Sequence, residues 1–261
     1  MSDKVLVEQR GHVLVVTLNR PEVRNCVDMD VCNGVADAVE RAETDPEIRA
    51  LVITGAGEQA FCAGADLKAI ARGELLLPPG RERLGFAGFV NNFTSKPTIA
   101  AVNGNALGGG TELLLACDLV VAVETANVGL PEVKRGLMAG AGGAFRIRRQ
   151  LPEKVALELL LTGRPMPAPE ALRWGLINQV VAPGQALDAA LELADEIAAN
   201  APLSVQSSKR VAYGVGEAGR TDERDFWKLS DREIIALLKT EDALEGPSAF
   251  AQKRAPVWNA R

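Results

Sequence analysis

With one histidine, His12, among 261 residues, acid and base chemistry in this chain falls to carboxylates, lysines and the single tyrosine, Tyr213. His12 opens the apolar run His12-Val-Leu-Val-Val-Thr-Leu18, so Ser-His-Asp and Cys-His mechanisms and most transition-metal sites lose their most useful residue type. Cys26, Cys32, Cys62 and Cys117 sit among apolar neighbours without CxxC spacing, which fits reduced, buried thiols. Two glutamates stand out. Glu112 follows Leu107-Gly-Gly-Gly-Thr111 and leads into Leu113-Leu-Leu-Ala-Cys117, and Glu132 follows Gly129-Leu-Pro131. Either one alone reads as a helix-start charge favoured by the dipole. Converging on one dry pocket, they would have pKa values pushed apart, leaving one as base and one as acid near neutral pH.

Glycine turns supply the other chemistry. Gly55-Ala-Gly57-Glu-Gln-Ala60 matches a loose dinucleotide fingerprint, but Phe61-Cys-Ala-Gly64 continues with another turn where a helix should begin. GxxxxGK[ST] and GxSxG are both missing, which argues against P-loop and serine-hydrolase chemistry. Ala63-Gly-Ala-Asp66 and Leu107 to Glu112 place small residues just before helical stretches, where exposed backbone N–H groups can face an anion or a carbonyl oxygen. A pair of such donors makes an oxyanion hole, and tight packing turns are the alternative reading of both segments. A third turn, with Gly140, Gly142 and Gly143, is either a packing turn or part of a site wall.

These residues need a scaffold. Val13–Leu18, Ala50–Thr54, Thr98–Val102, Leu119–Val123 and Ile177–Val181 read as strands, and helical periodicity is clearest around Val31 to Ala42, Glu153 to Leu161 and Ala186 to Ala199. The alternation predicts α/β architecture. From Pro202 onward the pattern is mostly helical, with Phe226, Trp227, Leu229, Ile234, Ile235 and Leu238 forming a broad apolar face that would dock on the body or on another subunit. Arg72 to Phe86 breaks the pattern with glycine, proline and mixed charge, as a lid or a plain surface connection would. The formal charge of -5 is too acidic for a protein that chiefly neutralises a phosphate backbone, so no nucleic acid is expected. The start has no signal-peptide pattern and no apolar run approaches a membrane span, so a cytoplasmic protein without membrane contact is expected.

Asn19-Arg20-Pro21 with Asn25, Ala60 to Lys68, Ala101 to Asp118, Leu130-Pro-Glu132, Gly140 to Gly143, Leu161-Thr-Gly163, Ala171 to Leu176 and Phe250 to Arg254 together resemble the crotonase superfamily, most of all its enoyl-CoA hydratases. The resemblance covers nearly the whole chain and rests on the order and spacing of these motifs. It implies a spiral of ββα turns over residues 1–200 with the active site, followed by a helical oligomerisation region over 201–261 that joins trimers or dimers of trimers. The implied reaction is reversible addition of water to a trans-2-enoyl-CoA, of the kind used in fatty-acid β-oxidation, with no cofactor beyond the CoA of the substrate and no metal. Motif alignment gives Glu112 and Glu132 as the catalytic carboxylates and the N–H groups of Ala63 and Gly109 as the oxyanion hole. Arg24, Ala63, Gly64, Ala65, Asp66 and Lys253 fall where the family binds CoA and substrate. The retained glutamate pair separates this chain from many isomerases and from binding proteins without chemistry. A carnitinyl-CoA dehydratase-like hydro-lyase is similar at Ala171 to Gly175, Glu241 to Gly246 and Pro256-Val-Trp258. Two departures are visible: Ala139, beside Met138, stands where many hydratases have proline, and relatives diverge over Leu75 to Phe89.

Overall fold

Strands that are buried on both faces read as nearly continuous apolar runs, and every residue of Ala50–Gly55 and Thr98–Val102 is buried in the computed structural model of the chain. The structure describes residues 3–71, 76–216, 219–220 and 223–259. The chain begins with an antiparallel pair, β1 (Val5–Arg10) and β2 (Val13–Leu18), then α1 (Met29–Thr44), β3 (Ala50–Gly55), β4 (Ala60–Cys62) and α2 (Leu67–Ala71). Next come β5 (Thr98–Val102), β6 (Asn105–Leu107), α3 (Gly109–Ala116), β7 (Leu119–Val123), β8 (Asn127–Gly129) and a 3-10 turn over Pro131–Arg135. There follow α4 (Gly143–Gln150), α5 (Glu153–Thr162), β9 (Met166–Pro167), α6 (Ala168–Arg173), β10 (Gln179–Val181) and α7 (Ala186–Ala198). Last are α8 (Pro202–Ala212), a small hairpin of β11 (Val215–Gly216) and β12 (Gly219–Arg220), α9 (Arg224–Leu237) and α10 (Glu241–Ala251).

Two sheets are built together. The larger runs β1-β2-β3-β5-β7-β10, parallel from β2 onward, and the smaller runs β4-β6-β8-β9. Each of three successive turns of chain contributes one strand to each sheet and then a helix or 3-10 turn: β3-β4-α2, β5-β6-α3, and β7-β8 with Pro131–Arg135. This is the expected spiral of ββα turns, and it stacks the starts of the helical segments on one another. One face of the large sheet packs on α1, and the other face, through Val13, Val15, Val52, Ile99 and Val121, packs on Ala190 and Ala194 of α7. Buried alanines at 186, 190, 194 and 198 leave α7 a side-chain-poor stripe that lets it lie close to the sheet.

Side-chain amides tie the turns together. Asn25 is held at φ 55° and accepts from Arg20 N–H while its Nδ2 donates to the carbonyls of Ala56 and Ala60. Asn103 accepts from Gly55 N–H and donates to Gly57 O. The Gly55 to Ala60 segment therefore leads into a strand, as a dinucleotide loop would not.

Three stretches singled out in the sequence take defined places. His12 is a half-exposed turn residue between β1 and β2, its Nδ1 lying 2.8 Å from Glu47 O. The region after Pro202 contains the β11-β12 hairpin, a detail too short to leave a periodic signal. Of the segment Arg72 to Phe86, residues 72–75 lie outside the described residues. The rest packs down: Leu76 and Leu84 are buried, and the following Gly88 fits so closely on α1 that a Cβ there would lie 2.4 Å from Cys32 O. Cys32, Cys62 and Cys117 are buried, Cys26 is half-buried, and none of the four is in a disulfide. Among the described residues no helix is long and apolar enough to cross a membrane.

Candidate active site

Glu112 sits on the first turn of α3, and Thr111 fixes that turn. The Thr111 hydroxyl lies 2.6 Å from Ala106 O of β6 and 2.9 Å from Gly129 O of β8, and Gly129 N–H donates back to it at 3.0 Å. Gly110 faces β4 so closely that a Cβ would lie 1.9 Å from Cys62 O. The helix start is thereby pinned to three strands of the small sheet, and Glu112, 4% exposed, is held with it. Its Oε1 accepts the N–H of Gly143 at 2.9 Å, so the third glycine turn is a site wall.

Glu132 arrives from the Pro131–Arg135 turn and reaches the same helix start. A Cβ at Gly108 would lie 3.4 Å from Glu132 Oε1, and Glu132 Oε2 is buried without a hydrogen-bond partner among the described residues. Burial pushes the carboxyl of Glu112 up out of the ordinary carboxylate range, and the neighbouring charge of Glu132 pushes it further, against the N–H groups of Gly143 and Ala141 and the cation of Arg146. Burial likewise raises Glu132. Two desolvated carboxyls that repel one another share protons as a pair, with one ionised and one protonated over a range near neutrality.

Beside them two backbone segments touch through glycine. A Cβ at Gly64, where φ is +93°, would lie 3.0 Å from Gly109 N, and one at Gly109 would lie 3.2 Å from Gly64 Cα and 2.6 Å from the Phe86 ring. Only glycine permits this approach. The N–H of Gly109, at the helix start, has no acceptor among the described residues. Ala63 differs: its N–H donates to Arg24 O at 3.0 Å. Val27 N–H donates to Gly64 O and Asp66 N–H to Val27 O, both at 2.8 Å, and Gly64 N–H donates to Cys62 Sγ at 3.4 Å, which leaves the N–H of Ala65 as the one on this turn without an acceptor among the described residues. Of the expected pair Ala63 and Gly109, then, only Gly109 presents an N–H without an acceptor among the described residues, and Ala65 presents the other.

The remaining expected positions divide. Asp66 is already engaged: Oδ2 accepts from the Arg20 guanidinium at 2.9 Å and Oδ1 accepts from the N–H groups of Lys68 and Ala69, so its side chain shapes the turn. Arg24 is exposed at φ 56°, with no carboxylate partner among the described residues and its carbonyl on the Ala63 turn. Lys253 is exposed at φ 55° just past α10 and likewise has no carboxylate partner there. Ala139 is buried, 2.9 Å from where a Gly143 Cβ would stand, so the proline replacement lies directly behind the Glu112 contact. Sequence reasoning missed Thr111, Arg20 and the Gly143 N–H as parts of the site, although the last lies in a turn that glycine spacing had singled out. Among the described residues no group of three or more His, Cys, Asp or Glu side chains could hold a metal.

Residues 8–261 match the family model described as enoyl-CoA hydratase/isomerase. A carnitinyl-CoA dehydratase of Proteus mirabilis is 42% identical over 268 residues, covering all of both chains. The structure of a carnitinyl-CoA hydratase from Mycobacterium avium is 60% identical with a TM-score of 0.98, again over the whole of both chains. An enoyl-CoA hydratase structure from Mycobacterium marinum is 43% identical with a TM-score of 0.78 at the same full coverage.

Proposed function

Because the chain belongs to the enoyl-CoA hydratase/isomerase family, we propose that it adds water reversibly across the 2,3 double bond of a trans-2-enoyl-CoA, giving a 3-hydroxyacyl-CoA. The observation that carries this reading is the convergence of two desolvated glutamates beside two unpaired backbone donors. The thioester oxygen takes the N–H groups of Ala65 and Gly109. As water oxygen bonds to Cβ, electron density moves through Cα onto that oxygen, where each donor contributes roughly 3 kcal/mol of transition-state stabilisation. The ionised glutamate of the pair accepts one proton from the water and the protonated glutamate delivers one to Cα. No cofactor is required beyond the CoA of the substrate, for whose phosphates Arg24 and Lys253 are the proposed partners. A cytoplasmic setting belongs to the same reading.

We also assign residues 1–200 to the spiral core and 201–261 to a helical region that joins copies into trimers or dimers of trimers. Exposed Leu203, Val211, Ile235, Leu238 and Leu244 in that region support an interface.

The test is loss of the ultraviolet absorbance of crotonyl-CoA on mixing with the enzyme, with Glu112→Gln and Glu132→Gln beside it. Both substitutions should lower kcat by about 10²- to 10⁴-fold while thioester binding persists. Full activity in both variants would overturn the mechanism. The likeness to carnitinyl-CoA dehydratases favours a second reading, the same chemistry run backward on a 3-hydroxyacyl thioester that carries a trimethylammonium group. The ratio of kcat/KM for crotobetainyl-CoA and crotonyl-CoA decides between the two.

A further inference from the structure

The turn that touches Glu112 is itself held from behind by α9. Ser230 donates its hydroxyl to Gly140 O at 3.0 Å, Ile234 lies 2.4 Å from where a Gly140 Cβ would be, and the Trp227 ring lies 3.1 Å from the corresponding point on Gly142. Trp227, Ser230 and Ile234 are spaced three and four apart, so one face of α9 covers the turn. At the start of that helix Glu223 receives a two-pronged contact from Arg146 of α4, Nε to Oε1 at 3.1 Å and Nη2 to Oε2 at 2.7 Å, and both side chains are at most 5% exposed. The third nitrogen, Arg146 Nη1, is buried without a hydrogen-bond partner among the described residues and lies 3.1 Å from where a Gly142 Cβ would stand. Glu112 Oε1 lies 2.9 Å from the same point on Gly143. The cation and the glutamate therefore lie beside the two adjacent residues of one peptide unit, Gly142 and Gly143.

We infer that Arg146 and Glu223 are positioning residues for Glu112: their buried pair holds α9 on the 139–143 turn and fixes the net charge behind the Gly143 N–H. The inference rests on the hydratase reading above. Clamping alone does not call for charge, since an apolar pair of similar volume would hold the helix at least as well. The charge matters because it acts across a single buried peptide on a carboxyl that must share protons with Glu132. The other groups around Glu112 do not duplicate it. Cys117 at the end of α3 and Cys62 on β4 are thiols whose pKa values burial raises, to about 12 for Cys62, so both stay neutral. Asp118, after α3, is paired with Lys209 at 2.6 Å. Arg148 of α4 pairs with Glu153 at the surface, and Arg149 reaches Glu223 only at 3.5 Å. Glu132 is the partner in the reaction.

The two halves of the pair act on Glu112 with opposite sign, which separates positioning from plain stability. In Arg146→Met the cation is lost, ionised Glu112 is less favoured, and the pH–rate profile moves to higher pH. In Glu223→Gln the cation is left uncompensated and the profile moves to lower pH. The shifts expected are a few tenths of a pH unit, and the double variant Arg146→Met with Glu223→Met should return close to the wild-type profile. Arg146→Lys should keep the profile while kcat falls, because the charge remains and the two-pronged contact does not. Single variants that shift in the same direction, or folded variants that all keep the wild-type profile, would overturn the inference. If Arg146→Met does not fold, Glu223→Gln and the double variant give the same comparison. The Glu112 carboxyl can also be titrated without turnover by ¹³C NMR of glutamate-labelled protein, with Glu112→Gln identifying the signal. An enzyme inactive on enoyl thioesters would thus remove the proposed function while the titration still decides the role of the pair.

Discussion

Gly143 N–H meets Glu112 Oε1 at 2.9 Å, joining residues 31 positions apart in the chain. The contact is to a carboxylate and comes from the first residue of a helix, so it is a charge-assisted bond with the α4 dipole behind it. It makes the ionised form of a buried glutamate tolerable without making it comfortable, since burial and Glu132 together still raise its pKa.

That balance has a cost in stability that depends on pH. In the unfolded chain Glu112 titrates in the ordinary carboxylate range, and in the folded chain it holds its proton to higher pH. The folded state binds more protons across that window, so the stability this group contributes is complete below the unfolded pKa and is lost as pH rises through the folded one. Glu112→Gln keeps an oxygen for Gly143 and removes the titration. Its melting temperature should match wild type in acid and exceed it at neutral pH, by about 1.4 kcal/mol of stability for each pH unit through which the folded chain alone holds the proton. A calorimetric pH series on both proteins checks this, and a variant less stable at neutral pH would contradict it.

The glycine of this contact should tolerate nothing larger. A Cβ on residue 143 would stand 2.9 Å from Ala139 Cβ, from Glu112 Cγ and from Glu112 Oε1. Gly143→Ala should therefore lose about 1–3 kcal/mol of stability by overpacking and, by displacing Glu112, at least roughly tenfold in kcat. Gly184, at φ +83° with nothing within 4 Å of its Cβ position, is the control. Gly184→Ala should cost about 1 kcal/mol from backbone strain and leave kcat unchanged. Denaturant unfolding with steady-state kinetics on the two variants makes the comparison.

The proposed oxyanion donors, Ala65 and Gly109, can be tested directly by amide exchange. Ala63 N–H is bonded to Arg24 O in the free protein and should be protected with or without ligand. Ala65 and Gly109 have no acceptor among the described residues, so each should exchange faster in the free protein and gain protection when an acyl-CoA thioester is added. Protection gained at Ala63 and not at Ala65 would restore the first alignment.

What the sequence displayed follows from where each segment lies. Val13–Leu18, Ala50–Gly55, Thr98–Val102 and Leu119–Val123 are central strands with nearly every position buried, so they appear as unbroken apolar runs. β1 is an edge strand with only Val5 buried, and its polar second half hides it. The strands of the small sheet have two or three residues each, too short for any period to show. Glu112 and Glu132 were identifiable behind their glycine and proline turns, but their mutual repulsion belongs to the spiral that stacks those turns. Which N–H of the Ala63 to Asp66 turn is free depends on Arg24 and Val27, and the Arg146 contact joins residues 77 apart, so neither had a local signature.

Arg20 is the last such long-range part. Its guanidinium reaches Asp66 at 2.9 Å, Cys26 O at 2.7 Å and Asp28 at 3.3 Å, holding the Ala65 turn against the loop that carries Arg24. Burial tends to raise the Asp66 carboxyl, but Arg20 and the N–H groups of Lys68 and Ala69 outweigh it, and the net shift is downward. For Asp28 burial is outweighed in the same way by Lys4, Val31 N–H and Arg20. Groups lowered in the folded state contribute stability above their unfolded pKa and lose it as pH falls through the folded value. Arg20→Met should lower stability at neutral pH by about 1–3 kcal/mol, discounted for the partial exposure of the network. In acid the wild type should lose its advantage and the two proteins should converge. Asp66→Asn keeps an oxygen for the α2 start and loses only the charge, so it should be the milder change. Both variants should also raise KM and lower kcat on the same enoyl thioester, because the loosened turn carries the Ala65 donor. Kinetics unchanged in a destabilised Arg20→Met protein would show that the network supports the fold without aligning the oxyanion turn.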